Sequence, residues 1–221
     1  MSLYIVATPI GNLADITLRA LEILRTVDLV LAEDTRRTRI LLKSYSINKR
    51  LVSFNDFNKK GRTRFAIEEL RKGRSIALVS DSGTPGISDP GFYLIREAIR
   101  YDIRVIPIPG PTALITALLG SGFSTDSFAF YGFLPKKDKK KKDFFNKIIN
   151  SNMTTIIYES PHRLVKTLQI ISEMLPERRV CVARELTKKF EEFIRGRAID
   201  VYKEIRGKDI RGEVTIVIDK A

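Results

Sequence analysis

Apolar and polar positions follow two alternating periods along the chain. Apolar runs of strand length recur at Leu3–Thr8, Asp28–Glu33, Leu51–Phe54, Ser75–Ser80 and Arg104–Ile108. Between them lie segments with apolar residues at helical spacing. Thr17–Val27 carries Leu18, Leu21 and Leu24 with Ala20 and Ile23, and Phe65–Lys72 and Thr112–Leu119 also read as helices. Asp89-Pro90 predicts a helix start, with Asp as the cap and Pro at the first helical position. This strand–helix alternation predicts a mainly parallel sheet covered by helices.

Gly120-Ser121-Gly122 interrupts the pattern and is read as a boundary, giving α/β domains 1–119 and 120–221. Beyond it, Phe128–Phe133, Met153–Glu159, Arg178–Arg184, Glu192–Gly196 and Glu213–Asp219 predict strands. Lys139–Ile149, Pro161–Leu175 and Ile199–Ile205 predict helices. No internal repeat of fixed period is visible. Two domains of this size are each too small to enclose a large ligand, so a cleft between them is the expected binding site.

Four of the loops that follow strands are rich in Gly, Pro and small polar residues. They are Thr8–Asn12, Ser80–Gly91, Pro109–Ala113 and Tyr158–Arg163. Ligands of open α/β sheets bind beyond the carboxyl ends of strands, where small residues let backbone groups approach closely. The first loop lacks the Gly-x-Gly-x-x-Gly dinucleotide fingerprint, and no Walker-type Gly-Lys-Ser/Thr loop occurs. The residues alone therefore define a cleft lined by backbone groups and carboxylates.

Charge narrows the choice of partner. Lys and Arg number 39 against 26 Asp and Glu, a formal net charge of +13. This surplus favours a polyanion, most often nucleic acid. Cys181 is the only cysteine and lies in an apolar run, so it reads as a buried structural thiol. His162 is the only histidine, and one His with one Cys builds no zinc site of the usual kind. The N-terminus does not read as a signal peptide, and no apolar stretch is long enough to span a membrane, so a cytoplasmic location is expected.

The run Leu3–Thr17, with Ala32-Glu33-Asp34-Thr35-Arg36, Val79–Gly91, Pro109–Ala113, Tyr158–Arg163 and Ala183–Lys188, resembles the 16S rRNA (cytidine-2′-O)-methyltransferases. This is the small subunit methyltransferase I family of the tetrapyrrole-methylase superfamily, the class III fold. The resemblance covers essentially the whole chain in order. It implies two α/β domains, a mainly parallel N-terminal sheet and a mixed C-terminal one. It also implies S-adenosyl-L-methionine between them without metal, a homodimer, and a decoding-region cytidine of 16S rRNA, or of the small ribosomal subunit, as substrate. By position, Ile10, Thr84, Ile87, Thr112 and Ala113 match cofactor contacts of the superfamily, as do Tyr158 and Ala183. Longer members carry a C-terminal helical extension absent from this sequence, so any RNA contact it makes is expected to be missing or replaced here.

Methyl transfer to a ribose hydroxyl needs a route for the leaving proton. Asp34, Asp81, Glu159 and Glu185 each lie at or just beyond a strand end, and Glu159 leads this set of expected catalytic carboxylates. Capping or ion pairing with Arg36 or Arg184 is the competing reading for each. His162, just inside a helix start, could accept a proton when neutral, but packing or a hydrogen bond is the preferred reading. Lys139, Lys140, Lys141 and Lys142 belong to the densest basic stretch, and Arg36 and Arg37 form a second group. Both are expected RNA phosphate contacts. A corrin-precursor methylase and a non-enzymatic RNA-binding module are the alternatives. The first would not need the +13 charge, and the second would leave four ligand loops without a purpose.

Overall fold

The computed structural model describes residues Met1–Ala221, which form two compact units, Met1–Thr112 and Ala113–Ala221. The first unit is built on five strands: β1 (Leu3–Val6), β2 (Leu29–Ala32), β3 (Leu51–Ser53), β4 (Ile76–Val79) and β5 (Val105–Ile108). All pair in parallel, in the order β3-β2-β4-β1-β5. Alternate residues serve opposite faces, as the two-residue period of a strand requires. Leu29 and Leu31 pack with helices α3 (Lys59–Arg71) and α4 (Gly91–Arg100). Val30 and Ala32 pack with α1 (Leu18–Thr26) and α2 (Thr35–Ser44). Every residue of β2 and β4 is buried, which explains their unbroken apolar runs.

Three helix starts differ from the sequence reading. Helix α2 was not foreseen, because only Thr38 and Leu42 are buried in its Thr-Arg-Arg-Thr-Arg-rich sequence. Helix α3 starts at Lys59 rather than Phe65, since its first turn, Lys-Lys-Gly-Arg, hides the apolar period. Helix α4 starts at Gly91 with Pro90 as its cap. Asp89 instead closes the preceding loop, its Oδ1 accepting from Gly86 N at 2.8 Å and Gly91 N at 2.6 Å.

The second unit begins with α5 (Ala113–Ser121), so the helix expected to close the first domain packs in the second, against its sheet. Gly120 is part of this helix. A Cβ there would lie 2.2 Å from the Phe193 ring, so the glycine permits close packing rather than marking a linker. The strands are β6 (Phe128–Phe133), β7 (Thr154–Glu159), β8 (Arg179–Arg184), β9 (Glu192–Arg197) and β10 (Val214–Ile218). They run in the order β6-β7-β10-β8-β9, with only β6 and β7 parallel. This is the mixed sheet that the resemblance implied. Ile157, Val182, Val214 and Ile216 share one core with helices α6 (Asp138–Ile148), α7 (Pro161–Met174) and α8 (Ala198–Ile205). No helix is long and apolar enough to cross a membrane.

Candidate functional site

In the first unit, all five strands point their carboxyl ends to one edge, and three loops there are tied together. Thr8 and Gly83 exchange backbone hydrogen bonds of 2.9 and 3.0 Å, joining the β1 loop to the β4 loop. The Thr8 hydroxyl donates to the Ser80 carbonyl at 3.2 Å. The Thr84 hydroxyl donates to the Pro111 carbonyl at 3.2 Å, bringing in the β5 loop. Gly83 has φ +80°, a conformation that costs glycine little, and a Cβ on it would meet the Ile10 side chain at 3.4 Å. Gly110 packs so closely that a Cβ would lie 2.9 Å from that of Ala7.

These contacts bring the loops that carry Ile10, Thr84, Ile87 and Thr112 together as one platform. Thr84 and Thr112 are half-buried and Ile87 is exposed, whereas Ile10 is buried against Gly83. Small residues, turned backbone and hydroxyls suit a ligand with a ribose, an amino-acid end and a planar base. S-adenosylmethionine has this chemistry.

Beside the platform, the ends of β2 and β4 hold a chain of carboxylates. Asp34 caps α2, its Oδ1 accepting from Arg36 N at 2.8 Å. The Arg36 guanidinium, hydrogen-bonded to the same carboxylate, holds Asp34 far below the ordinary carboxylate range. Asp81 Oδ1 accepts from Asp34 N at 2.8 Å, and Arg37 lies 3.5 Å from Asp81 Oδ2. Glu33 Oε2 in turn accepts from Asp81 N at 3.3 Å. Burial pushes the Glu33 carboxyl above its usual value, and the negative charges of Asp81 and Asp89 add to the rise. Burial also raises Asp89. Glu33 is not among the carboxylates that the sequence pattern put forward as catalytic. The signal was available: it is the first residue after four wholly buried strand positions.

The second unit places its predicted residues differently. Tyr158 stands edge-on to Phe130 and Phe133, with ring centroids 4.8 and 5.6 Å away. Ala183 is paired on both sides, with Thr215 and Phe193, and exposes no surface to a ligand. Ala113 opens α5 and is half-buried.

Glu159, expected as the leading proton acceptor, is sealed from solvent and saturated with donors. Its Oε2 accepts from Lys141 Nζ at 3.2 Å and the Thr167 hydroxyl at 2.7 Å. Its Oε1 receives Ser160 N at 2.8 Å and the Arg163 guanidinium at 2.5 Å. Both oxygens are committed to partners within the unit, so neither is offered to a substrate hydroxyl. Glu185 is engaged in the same manner. Its Oε1 accepts from Lys188 Nζ at 2.8 Å and Glu213 N at 3.0 Å, and the lysine hydrogen bond keeps its carboxyl below the ordinary range. Both carboxylates fasten local structure.

The lysine run divides by face. Lys141, Phe145 and Ile148 form the buried stripe of α6, while Lys139, Lys140 and Lys142 are exposed. Lys141 is therefore withdrawn from the expected phosphate contacts, because its charge is spent on Glu159. His162 is exposed in the first turn of α7. Burial pushes the Cys181 thiol up to about 11, in keeping with a structural role.

Comparison with known proteins places this arrangement. Residues 2–201 match the family model of the Tetrapyrrole (Corrin/Porphyrin) Methylases. A "Ribosomal RNA small subunit methyltransferase I" from Hydrogenobaculum is 49% identical, covering 100% of this chain and 96% of that one. The protein of the same name from Thermotoga maritima is 46% identical over 98% of this chain and 97% of its own. Among solved structures, uroporphyrin-III C-methyl transferase from Thermus thermophilus, complexed with S-adenyl homocysteine, aligns with a TM-score of 0.67 at 16% identity, covering 98% of this chain and 97% of that one. The chain belongs to the tetrapyrrole-methylase family, in the branch whose members are called ribosomal RNA small subunit methyltransferase I.

Proposed function

We propose that the protein transfers a methyl group from S-adenosylmethionine to the ribose 2′-hydroxyl of a cytidine in small-subunit rRNA. The observation that carries this reading is the tied platform of the β1, β4 and β5 loops beside the Glu33–Asp81 carboxylates. The cofactor supplies a sulfonium methyl, and the chain does the rest. Thr84, Ile87 and Thr112 hold the ligand at the platform, with the rim of Ile10. Glu33, with its raised affinity for a proton, accepts the proton of the hydroxyl while Asp81 and Asp34 fix its position. Arg36 and Arg37, exposed at the start of α2, and Lys139, Lys140 and Lys142 meet phosphates. The net charge of +13 supports a polyanionic substrate over a tetrapyrrole. A homodimer in the cytoplasm goes with this reading through the family resemblance.

The test is transfer of labelled methyl to purified small ribosomal subunits, with a corrin precursor as the competing substrate. The expected result is incorporation into RNA at a position that then resists alkaline cleavage, because the 2′-hydroxyl that attacks its own phosphate is blocked. Methylation of the tetrapyrrole alone overturns the reading. Label on RNA that leaves alkaline cleavage intact overturns the 2′-oxygen as its target.

A further inference from the structure

We propose that Phe57 is a stacking platform for one unpaired nucleobase of the RNA, with the cations around it holding the adjoining phosphates. The inference rests on the RNA-methyltransferase reading and says where the first unit grips its substrate. Phe57 lies between β3 and α3 and is 101% exposed, the most exposed large apolar side chain in the protein. A phenyl ring held wholly in water forgoes the stabilisation that burial would give.

The ring stands on a fixed mount. Phe57 N donates to Asn55 Oδ1 at 3.2 Å, Asn55 N donates to Asn58 Oδ1 at 2.9 Å, and Asn58 Nδ2 donates to Ser53 Oγ at 3.1 Å. A mount ordered before binding reduces the entropy lost when a ligand arrives. The Asp56–Arg62 segment bounds an open cavity of about 590 Å³.

Charge selects the occupant. Lys60, Arg62 and Arg64 are exposed and make no ion pair, while Lys59 answers Asp56 at 2.8 Å. Strand β3 pairs in parallel with β2, so α2, with Arg36 and Arg37 in its first turn, leaves the same sheet edge one strand away. Protein–protein interface cores are depleted of lysine, whereas single-stranded nucleic-acid surfaces pair aromatic rings with cations. A base within a duplex is already stacked, so the ring is offered to an unpaired one.

The chain has no tryptophan, so Phe57→Trp introduces a single fluorophore at the proposed contact. A short oligocytidylate should quench its emission, and an abasic oligonucleotide of equal length should not. Equal quenching by both, or none by either, overturns stacking. An emission shift that grows with protein concentration without RNA overturns it in favour of a second copy of the chain. In parallel, Phe57→Ala should raise KM for the small ribosomal subunit by roughly five- to a hundred-fold, the range for losing one stacked base, with kcat and cofactor affinity little changed. Phe57→Tyr should restore most of the loss. If the unaltered protein methylates the subunit and Phe57→Ala keeps its KM, this inference fails while the proposed function stands. If the unaltered protein methylates no RNA, the functional reading fails and takes the inference with it.

Discussion

Lys141 and Glu159 form an ion pair sealed inside the second unit. Nζ lies 3.2 Å from Oε2, and the side chains are 1% and 0% exposed. The pair joins α6 to the end of β7, and the Thr167 hydroxyl bridges both partners. Removing Lys141 takes a charged donor from a buried carboxylate and leaves Arg163, 2.5 Å from Oε1, as its remaining ion-pair partner. Lys141→Met is expected to destabilise the protein by roughly 1–3 kcal/mol, the cost of a buried polar group losing one partner. Adding Glu159→Leu to that variant should recover much of the loss. Urea unfolding of both single variants and the double variant checks this, and strictly additive losses would contradict it.

The ion pair shows where sequence reading stops. All ten strands were legible, nine of them as largely apolar runs of strand length and β9 from Phe193-Ile194 alone, and their observed ends differ from the reading by two residues at most. The tied loops were legible from Gly and Pro following those strands. Burial of Lys141 was not, since the partners that permit it are 18 and 26 residues away, on β7 and α7. Within the sequence it is one of four consecutive lysines. Nor could the sequence rank the carboxylates. Asp34, Glu159 and Glu185 differ from Glu33 in their donors, and donors are supplied by tertiary structure.

The division of the lysine run has a measurable consequence. Replacing Lys139, Lys140 and Lys142 with Gln should weaken RNA binding and flatten its dependence on salt. Three lost phosphate contacts change the slope of log K against log salt by up to about 2.1 for single strands and about 2.7 for a duplex. The fold should persist, because these side chains point to solvent. An unchanged slope would mean that the face carries no phosphate.

The loop before α4 tolerates no added methyl at Gly91. A Cβ there would lie 2.8 Å from Asp89 Oδ1 and 2.9 Å from Gly86 N, two groups that bond to each other. Gly91→Ala should displace Asp89 and loosen the loop carrying Thr84 and Ile87, raising the cofactor Kd by about tenfold or more if one hydrogen bond to a charged group is lost. Calorimetric titration with S-adenosylmethionine measures this. Gly61, inside α3, has nothing within 4 Å of its would-be Cβ and no positive φ. Gly61→Ala should instead stabilise the protein by about 0.5–1 kcal/mol through helix propensity. A matched fall in thermal stability for both variants would remove the distinction between the sites.

Glu33 is the carboxylate whose environment suits proton transfer. Burial raises its proton affinity, while Arg36 depresses that of Asp34. A base must be ionised to act, so activity falls as pH drops through its pKa. With Glu33 raised, the acid limb of kcat should lie above the ordinary Glu value of about 4.3. Glu33→Gln keeps an oxygen that can accept from Asp81 N but removes the charge. Turnover should fall by roughly 10²-fold or more, and the acid limb should disappear. Affinities for cofactor and RNA should change by no more than a few-fold, because binding common to ground and transition states is untouched. Asp34→Asn is the comparison: Arg36 already occupies that carboxylate, so a loss of activity there should leave the acid limb in place. If Glu33→Gln turns over normally with the limb intact, the proton leaves by another path. The protein would then act mainly by holding the hydroxyl in line with the sulfonium methyl.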